Sequence, residues 1–508
     1  MRNGFRRVNC IFHFVGGLLQ ILGLILLFPL IPVLIYWGQK GDGWLSAAAF
    51  ALSAAVSFFL GFFLRLKFKP QTIDTTGSML ICALGWLLAS AMGALPFVIA
   101  LGSNCLDAYF EAMSGFTTTG ITVLSGLDEM PASILFWRAL TQWLGGVGIL
   151  SFFLLIISQG GGAHHMFGAE SHKISSGRPA PGLFNTLRIL WAIYAAFTAL
   201  ATLILVIEKM PVFDAVCHAL TTLSTGGFSP HDSSIGFYRL TNHPNYRLIE
   251  YTLAFFMVLG GINFLVHYRV LTRDFRALWD NIEIRYWWRL LAAFTALIVL
   301  EQLYRTGAFS ALFARGRAVR LSDFEQAFRD SIFQIVSILT TTGFATRDIG
   351  SDYFGAMSKQ LFLVMMVVGG CVGSTSGGFK VLRVAILNRL MFRELFKIRT
   401  SDRASAALVI DKRPVAHDEI HRVAALFFTW MVLVLLGGAI TALLSNQGPL
   451  QSISGMFSAV GNIGPCYISA ADMINIHPVV KITYILGMLA GRLEILPVLL
   501  LFSAKAWR

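Results

Sequence analysis

Charge is what this 508-residue chain has least of. Asp, Glu, Lys and Arg make up 13% of it, about half the share of a soluble domain. Hydrophobic residues make up 56%, and mean hydropathy is +0.68. Residues 8–39, 43–64 and 75–106 carry no charged side chain. Runs of that length exclude a water-soluble globular domain and predict membrane spans. Cysteine is sparse as well. The six present (Cys10, Cys82, Cys105, Cys217, Cys371, Cys466) show no CxxC spacing, and most lie in or beside apolar runs. That excludes a disulfide framework and a thiolate metal site. An HExxH zinc signature is missing. No cleavable leader is expected, since the first apolar run is too long for a signal h-region. The net charge of +13 would suit nucleic acid, but the basic residues cluster between apolar runs. That is the positive-inside pattern, so the charge reports topology.

Against this background residues 117–122, Thr-Thr-Thr-Gly-Ile-Thr, stand out. A glycine among hydroxyl residues is a poor choice for a packed span. It suits backbone carbonyls turned toward something polar. The chain repeats the pattern. Gly120, Gly227, Gly343 and Gly464 are preceded by Thr118-Thr119, Thr225-Gly226, Thr341-Thr342 and Asn462-Ile463. Asp107, Asp214 and Asp330 each stand thirteen residues before their glycine, and the fourth copy has Gln451 there. Glycine spacings of 107, 116 and 121 residues predict four similar units around one axis. The expected fold is an all-α polytopic membrane protein. Two leading transmembrane helices (1–70) precede four span–pore-loop–span repeats at 71–182, 183–284, 285–412 and 413–508.

In each repeat a run too short to cross follows the first span: 107–116, 214–223, 330–339 and 452–460. These are predicted as re-entrant half-helices. Asp107, Asp214 and Asp330 are expected to cap them, or to draw cations to the outer mouth. The C-terminal ends would turn their negative dipole ends toward the centre, which favours a cation. A dehydrated cation needs several oxygens at once. A ring of carbonyls supplies them without fixed charge, so binding stays weak enough for exit. The fourth copy, Asn462-Ile463, is the least regular, so the symmetry is approximate.

The segment 360–379 is uncharged, but it ends in Gly369-Gly370-Cys371-Val372-Gly373-Ser374-Thr375-Ser376-Gly377-Gly378, with Lys380 close behind. Five glycines and three hydroxyl residues in ten positions cannot hold a regular helix well. A broken helix with a flexible loop beneath the filter is expected, acting as a gate. The competing reading is a close helix contact through small residues. The last span, 476–505, contains Arg492 and Glu494, two residues apart and therefore on different faces. Arg492 is expected to face the conduction path as an electrostatic barrier. Otherwise it snorkels or pairs with an acid on another span.

The strings FEAMSGFTTTGIT, ALTTLSTGGFS, LTTTGFAT, SAVGNIGP, GGCVGSTSGGFKVLR and GRLE resemble the Trk/Ktr/HKT superfamily of potassium transporters. The two leading spans and the length are more similar to the bacterial TrkH branch than to the shorter KtrB branch. The resemblance covers nearly the whole chain from about residue 77. It implies potassium uptake through a homodimer in the bacterial inner membrane, each protomer with its own pore and both termini cytoplasmic. It implies K+ as the transported ion, with no organic cofactor, and a cytosolic nucleotide-binding regulator of the TrkA type. Carried over, Thr118, Thr119, Thr225, Gly226, Thr341, Thr342, Asn462 and Ile463 offer carbonyls beside the four filter glycines. Residues 369–380 form the gate, and Arg492 matches a basic residue beneath the filter. In plant relatives a serine at the first filter glycine goes with sodium preference, so Gly120 favours potassium.

Two other classes remain open from the residues alone. His164, His165, Glu170 and His172 form a cluster that would bind zinc in a membrane-embedded hydrolase, against a solvated loop as the plainer reading. A proton- or sodium-coupled symporter would need charged residues at midspan, and apart from Arg492 and Glu494 few are found.

Overall fold

The structure, a computed structural model, describes residues 2–69, 74–158, 183–305, 321–399, 408–411 and 413–507. The histidines of 164–172 lie outside the described residues.

Two helices, Arg2–Ile25 and Trp44–Lys67, form the leading pair. They cross closely where Gly16 and Gly61 meet. A Cβ on Gly61 would lie 2.8 Å from the Gln20 nitrogen, and one on Gly23 would lie 2.8 Å from the Ala54 oxygen. Small residues thus let the two backbones touch, and Ser57 Oγ donates to the Leu19 carbonyl at 2.8 Å across the same contact. The pair packs on Thr75–Leu101, whose N-terminus is capped by Asp74 accepting the Gly77 N–H at 2.8 Å. Five helices among the described residues are long and apolar enough to cross a membrane, or six if one bent pair counts as a single span.

Four units follow, each with a long helix, a shorter buried helix and a second segment. The first-span helices are Thr75–Leu101, Leu183–Ile207, Ile282–Arg305 and His417–Leu444. The short helices are Cys105–Phe116, Val212–Leu223, Leu321–Leu339 and Pro449–Gly461. The first has 12 residues, so it reaches about 18 Å, well short of the roughly 30 Å hydrocarbon core. The third starts nine residues before its expected start at 330. These four are called pore helices below.

Capping by the aspartates is corrected. Asn104 caps the first pore helix, its side chain accepting the Asp107 N–H at 2.9 Å. Pro211 precedes the second without a side-chain cap, and Asp330 sits mid-helix in the third. All three aspartates are taken by side chains of other segments. Lys481 Nζ lies 2.5 Å from Asp107. His231 and Tyr238 hydrogen-bond Asp214. Arg239 and Arg347 pair with Asp330.

The second segments also depart from expectation. Ala132–Ser158 is continuous, but the other three are broken rather than only the third. Tyr246–Gly261 and Phe264–Leu271 meet at 104°. Ala356–Val368 stops at Gly369 and the chain becomes helical again at Val381–Arg399. The last expected span, 476–505, ends as a regular helix at Arg492. Glu494 and Ile495 then adopt φ of 63° and 65°, and a short helix, Leu496–Leu501, follows. Two consecutive residues of positive φ, neither of them glycine, interrupt the helix there. In the polar link a two-residue ladder pairs Val409–Ile410 with Arg413–Pro414, the one departure from an all-α chain among the described residues.

Candidate ion-conduction site

All four pore helices end in the same way. The residue two before each filter glycine is left-handed: Thr118 (φ 51°), Thr225 (53°), Thr341 (58°) and Asn462 (54°). Its N–H donates three residues back, to Gly115, Thr222, Ile338 and Ala459, at 2.9–3.3 Å. The next N–H donates five back, to Ser114, Thr221, Ser337 and Ser458, at 2.8–3.0 Å. This is the Schellman pair of bonds. Glycine usually holds the left-handed position, and a β-branched threonine there costs about 1–3 kcal/mol. Asn462 tolerates that conformation better than threonine. Its departure from the threonine pattern therefore leaves the backbone unchanged.

The four loops close into a ring. A Cβ on Gly120 would overlap the carbonyl oxygen of Gly226, one on Gly227 that of Thr342, and one on Gly343 that of Ile463. A Cβ on Gly464 would meet the Thr119 oxygen at 3.0 Å. Each filter glycine thus seats against the residue before the next filter glycine, and the fourth returns to the first. Gly120, Gly227, Gly343 and Gly464 all have positive φ, 75–106°. Position and conformation both demand glycine. Thr118, Thr119, Thr225, Thr341, Thr342, Asn462 and Ile463 are fully buried around this ring. The C-terminal ends of four helices converge there, so their partial negative charges add.

Residues 369–380 lie against one side of the ring. Phe379 and Lys380 donate to Val367 and Val368 at 2.9 Å, so the returning chain satisfies the last carbonyls of Ala356–Val368. The crossing is backbone on backbone: a Cβ on Gly369 would meet Gly378 Cα at 2.7 Å. Gly369, Gly373 and Gly378 have φ of 68–76°. A Cβ on Gly370 would overlap Ser376. Three contacts join this loop to the filter. Gly377 N–H donates to Thr341 Oγ1 at 2.6 Å. Thr225 Oγ1 donates to Thr375 Oγ1 at 3.4 Å. A Cβ on Gly377 would lie 2.9 Å from Asn462 Cβ. Lys380 Nζ donates to the Ser376 carbonyl, and Ser374 Oγ to that of Cys371 at 2.5 Å.

Arg492, 3% exposed, donates to Thr375 O at 2.7 Å and to Gly145 O at 3.0 Å. It neither snorkels nor pairs with an acid. Glu494 instead holds Arg383 at 2.6 Å. Four buried polar atoms at this level, Thr118 Oγ1, Asn462 Oδ1, Ser376 Oγ and Arg492 Nε, have no hydrogen-bond partner among the described residues. The loop is also locked to the bent second repeat. Cys371 N–H donates to Gly261 O at 2.9 Å, Thr375 N–H to Gly260 O at 3.3 Å, and Phe264 N–H to Gly373 O at 3.1 Å. Buried Glu283 accepts the Val372 N–H at 2.7 Å.

On the opposite side a cavity of about 530 Å³ reaches all four filter glycines. Its wall includes Arg138, whose guanidinium lies 2.8 Å from Glu111 and 4.1 Å from the Phe228 ring centroid. His231 bridges Asp128 (2.5 Å) and Asp214 (3.0 Å). Burial alone would lower the His231 pKa, but the hydrogen bonds to Asp214 and Asp128 outweigh it and hold the imidazole above its usual value.

The structure thus brings the twelve expected filter residues into one ring and sets the 369–380 loop and Arg492 against it. Sequence reasoning missed Gln142, Glu283, Arg138 and Lys481. Arg138 and Gln142 had a readable signal. They stand four apart in an otherwise apolar segment, on one helix face, and polar residues at membrane depth mark functional sites.

A family model described as "TrkH: Cation transport protein" matches residues 47–508. The "Trk system potassium uptake protein TrkH" of Escherichia coli (strain K12) is 31% identical over 506 residues, covering 98% of this chain and 99% of that protein. An uncharacterised cation transporter of Methanocaldococcus jannaschii is 30% identical, with 98% and 95% covered. The crystal structure of the potassium transporter TrkH from Vibrio parahaemolyticus superposes with a TM-score of 0.84 at 27% identity, covering 99% of this chain and all of that one.

Proposed function

The chain belongs to the TrkH cation-transport family, a family of transporters and not of enzymes, and on that premise we propose that it is a potassium-uptake pore subunit with a carbonyl-lined filter. The observation that carries the reading is the closed ring of four glycines, each seated on its neighbour's carbonyl. K+ is the substrate. Thr118, Thr119, Gly120, Thr225, Gly226, Gly227, Thr341, Thr342, Gly343, Asn462, Ile463 and Gly464 replace its hydration shell, and helix C-termini supply the remaining negative potential. The 369–380 loop is the gate, and Arg492 pins it closed through the Thr375 carbonyl. The relatives named as part of a Trk system support a regulatory partner. We assign it as a cytosolic nucleotide-binding subunit of the TrkA type, acting on a homodimer in the inner membrane with both termini cytoplasmic.

Uptake of rubidium-86 into proteoliposomes, with potassium, sodium or lithium as competitors, tests this beside Gly120→Ser. Potassium should block uptake and sodium should do so poorly. Gly120→Ser should loosen that preference, because its Cβ overlaps the Gly226 carbonyl at a positive φ. No flux from folded protein, with and without the cytosolic partner, ends the pore reading.

A further inference from the structure

The four filter loops share one backbone conformation but are braced differently. In the first repeat Thr117 Oγ1 and Thr119 Oγ1 hydrogen-bond at 2.8 Å. In the third, Thr340 Oγ1 and Thr342 Oγ1 do so at 2.7 Å. Each pair ties the residue before the filter glycine to the end of its pore helix. The fourth repeat has Gly461 and Ile463 at those positions. It uses Ser458 Oγ, which accepts the Gly464 N–H at 3.0 Å, and Asn462 Nδ2, which donates to Thr119 Oγ1 and Met488 O at 2.9 Å. The second repeat has Ser224 and Gly226. One hydroxyl of the pair is missing.

Gln142 fills the gap from the first repeat. Its Nε2 donates to Gly226 O at 2.6 Å, and its Oε1 accepts the Phe228 N–H at 3.0 Å. The side chain is fully buried. Phe228 offers only a donor, so the amide has one satisfactory orientation and Nε2 must face the carbonyl. A Cβ on Gly226 would overlap the Gln142 side chain and lie 2.9 Å from its Cβ. Gly226 is therefore glycine because Gln142 occupies the place of its side chain. The carbonyl held in this way is the one on which Gly120 seats.

We propose that Gln142 is a specificity-determining, positioning residue of the filter, whose amide fixes the Gly226 carbonyl as threonine pairs brace the first and third repeats. This rests on the filter reading above. A carbonyl released from its donor can follow a smaller ion inward, which erodes discrimination between K+ and Na+. Loss of one buried hydrogen bond of this kind is expected to lower the preference about tenfold.

The test is rubidium-86 uptake by proteoliposomes of the full chain, read as the ratio of sodium to potassium concentrations that halve uptake. Gln142→Met removes donor and acceptor at similar volume and should lower the ratio about tenfold. Gly226→Thr alone should abolish uptake by steric conflict. Gln142→Gly with Gly226→Thr clears the Cβ at 142 as well, offers the Ser224 hydroxyl a partner and should restore the ratio at least threefold above Gln142→Gly. Unchanged ratios for Gln142→Met and Gln142→Gly, while Gly120→Ser in the same assay loosens preference, overturn the proposal and leave the filter reading intact. So does slower uptake at an unchanged ratio, the mark of a merely structural residue. If Gly120→Ser is also without effect, the filter reading fails and takes the proposal with it. Should the single variants fail to fold, the double variant decides: wild-type preference supports the exchange, and sodium-tolerant uptake overturns it.

Discussion

Arg492→Gln should raise the basal flux of the isolated subunit. The wild-type guanidinium holds one carbonyl on the 369–380 loop, Thr375, and one on the continuous helix Ala132–Ser158, Gly145. Only the first bond must break when the loop withdraws. A hydrogen bond from a charged donor is worth about 1.5–3 kcal/mol net, and about 1.4 kcal/mol is a factor of ten. Removing it lowers the closed-to-open ratio by roughly 10- to 100-fold. From an open fraction near 1% this takes basal uptake up about tenfold before saturation. Loss of a positive charge beside the ring acts in the same direction. The assay is rubidium-86 uptake without the cytosolic partner, with Arg492→Lys as an intermediate case, since lysine is a single point charge and not a fork. A folded Arg492→Gln protein with basal uptake at or below wild type refutes the reasoning.

His231 should make the protein less stable in alkali. Its folded-state pKa is raised, so the tie to Asp128 and Asp214 is fully present below about pH 6.5, the unfolded value. It is lost as pH climbs through the folded value. Melting temperature should fall across that window in wild type and more weakly in His231→Gln, and equal slopes would dismiss the tie. Asp107→Asn strands the Lys481 ammonium, 7% exposed, with the Ile474 carbonyl as its remaining hydrogen-bond partner among the described residues. It should cost about 3 kcal/mol, seen as a lower melting temperature that Asp107→Asn/Lys481→Met recovers. No recovery in the double variant would mean that the pair itself, not the stranded charge, carries the stability.

The filter glycines were legible because backbone conformation restricts residue type there. Only glycine fits a positive φ against a neighbour's carbonyl, and that requirement recurs in the sequence at near-constant spacing. The threonines beside them were legible as hydroxyl donors but not as left-handed residues, because β-branched side chains resist that conformation. Tertiary closure of the ring overrides the local preference. The aspartates misled for a related reason. Asp107 and Asp214 sit near helix starts, where capping is the local expectation, while the helix holding Asp330 begins nine residues earlier than its short apolar run suggests. The partners of the three, Lys481, His231 and Arg239, come from other segments of the chain. The Gln142 clamp spans 84 residues and the Thr225–Thr375 contact 150, separations at which no periodicity reports a pairing. The extra breaks had weak signals. Gly260-Gly261 resembles any small-residue contact, and nothing at Glu494-Ile495 announces a left-handed pair.

The lock between the two broken segments constrains how the proposed gate works. Withdrawing the 369–380 loop separates Cys371 N–H from Gly261 O, Thr375 N–H from Gly260 O and Phe264 N–H from Gly373 O. Each separation leaves a donor and an acceptor bare at membrane depth, at about 1–3 kcal/mol per unpaired group. Three such pairs would exceed any single regulatory contact unless water replaces them. The unpartnered atoms Thr118 Oγ1, Asn462 Oδ1, Ser376 Oγ and Arg492 Nε already make the space polar enough to hold water. Wetting beneath the filter and movement of the loop are then one event. On the proposed gating, the bent segment of the second repeat, whose Gly260 and Gly261 carbonyls are released, moves with the glycine-rich loop.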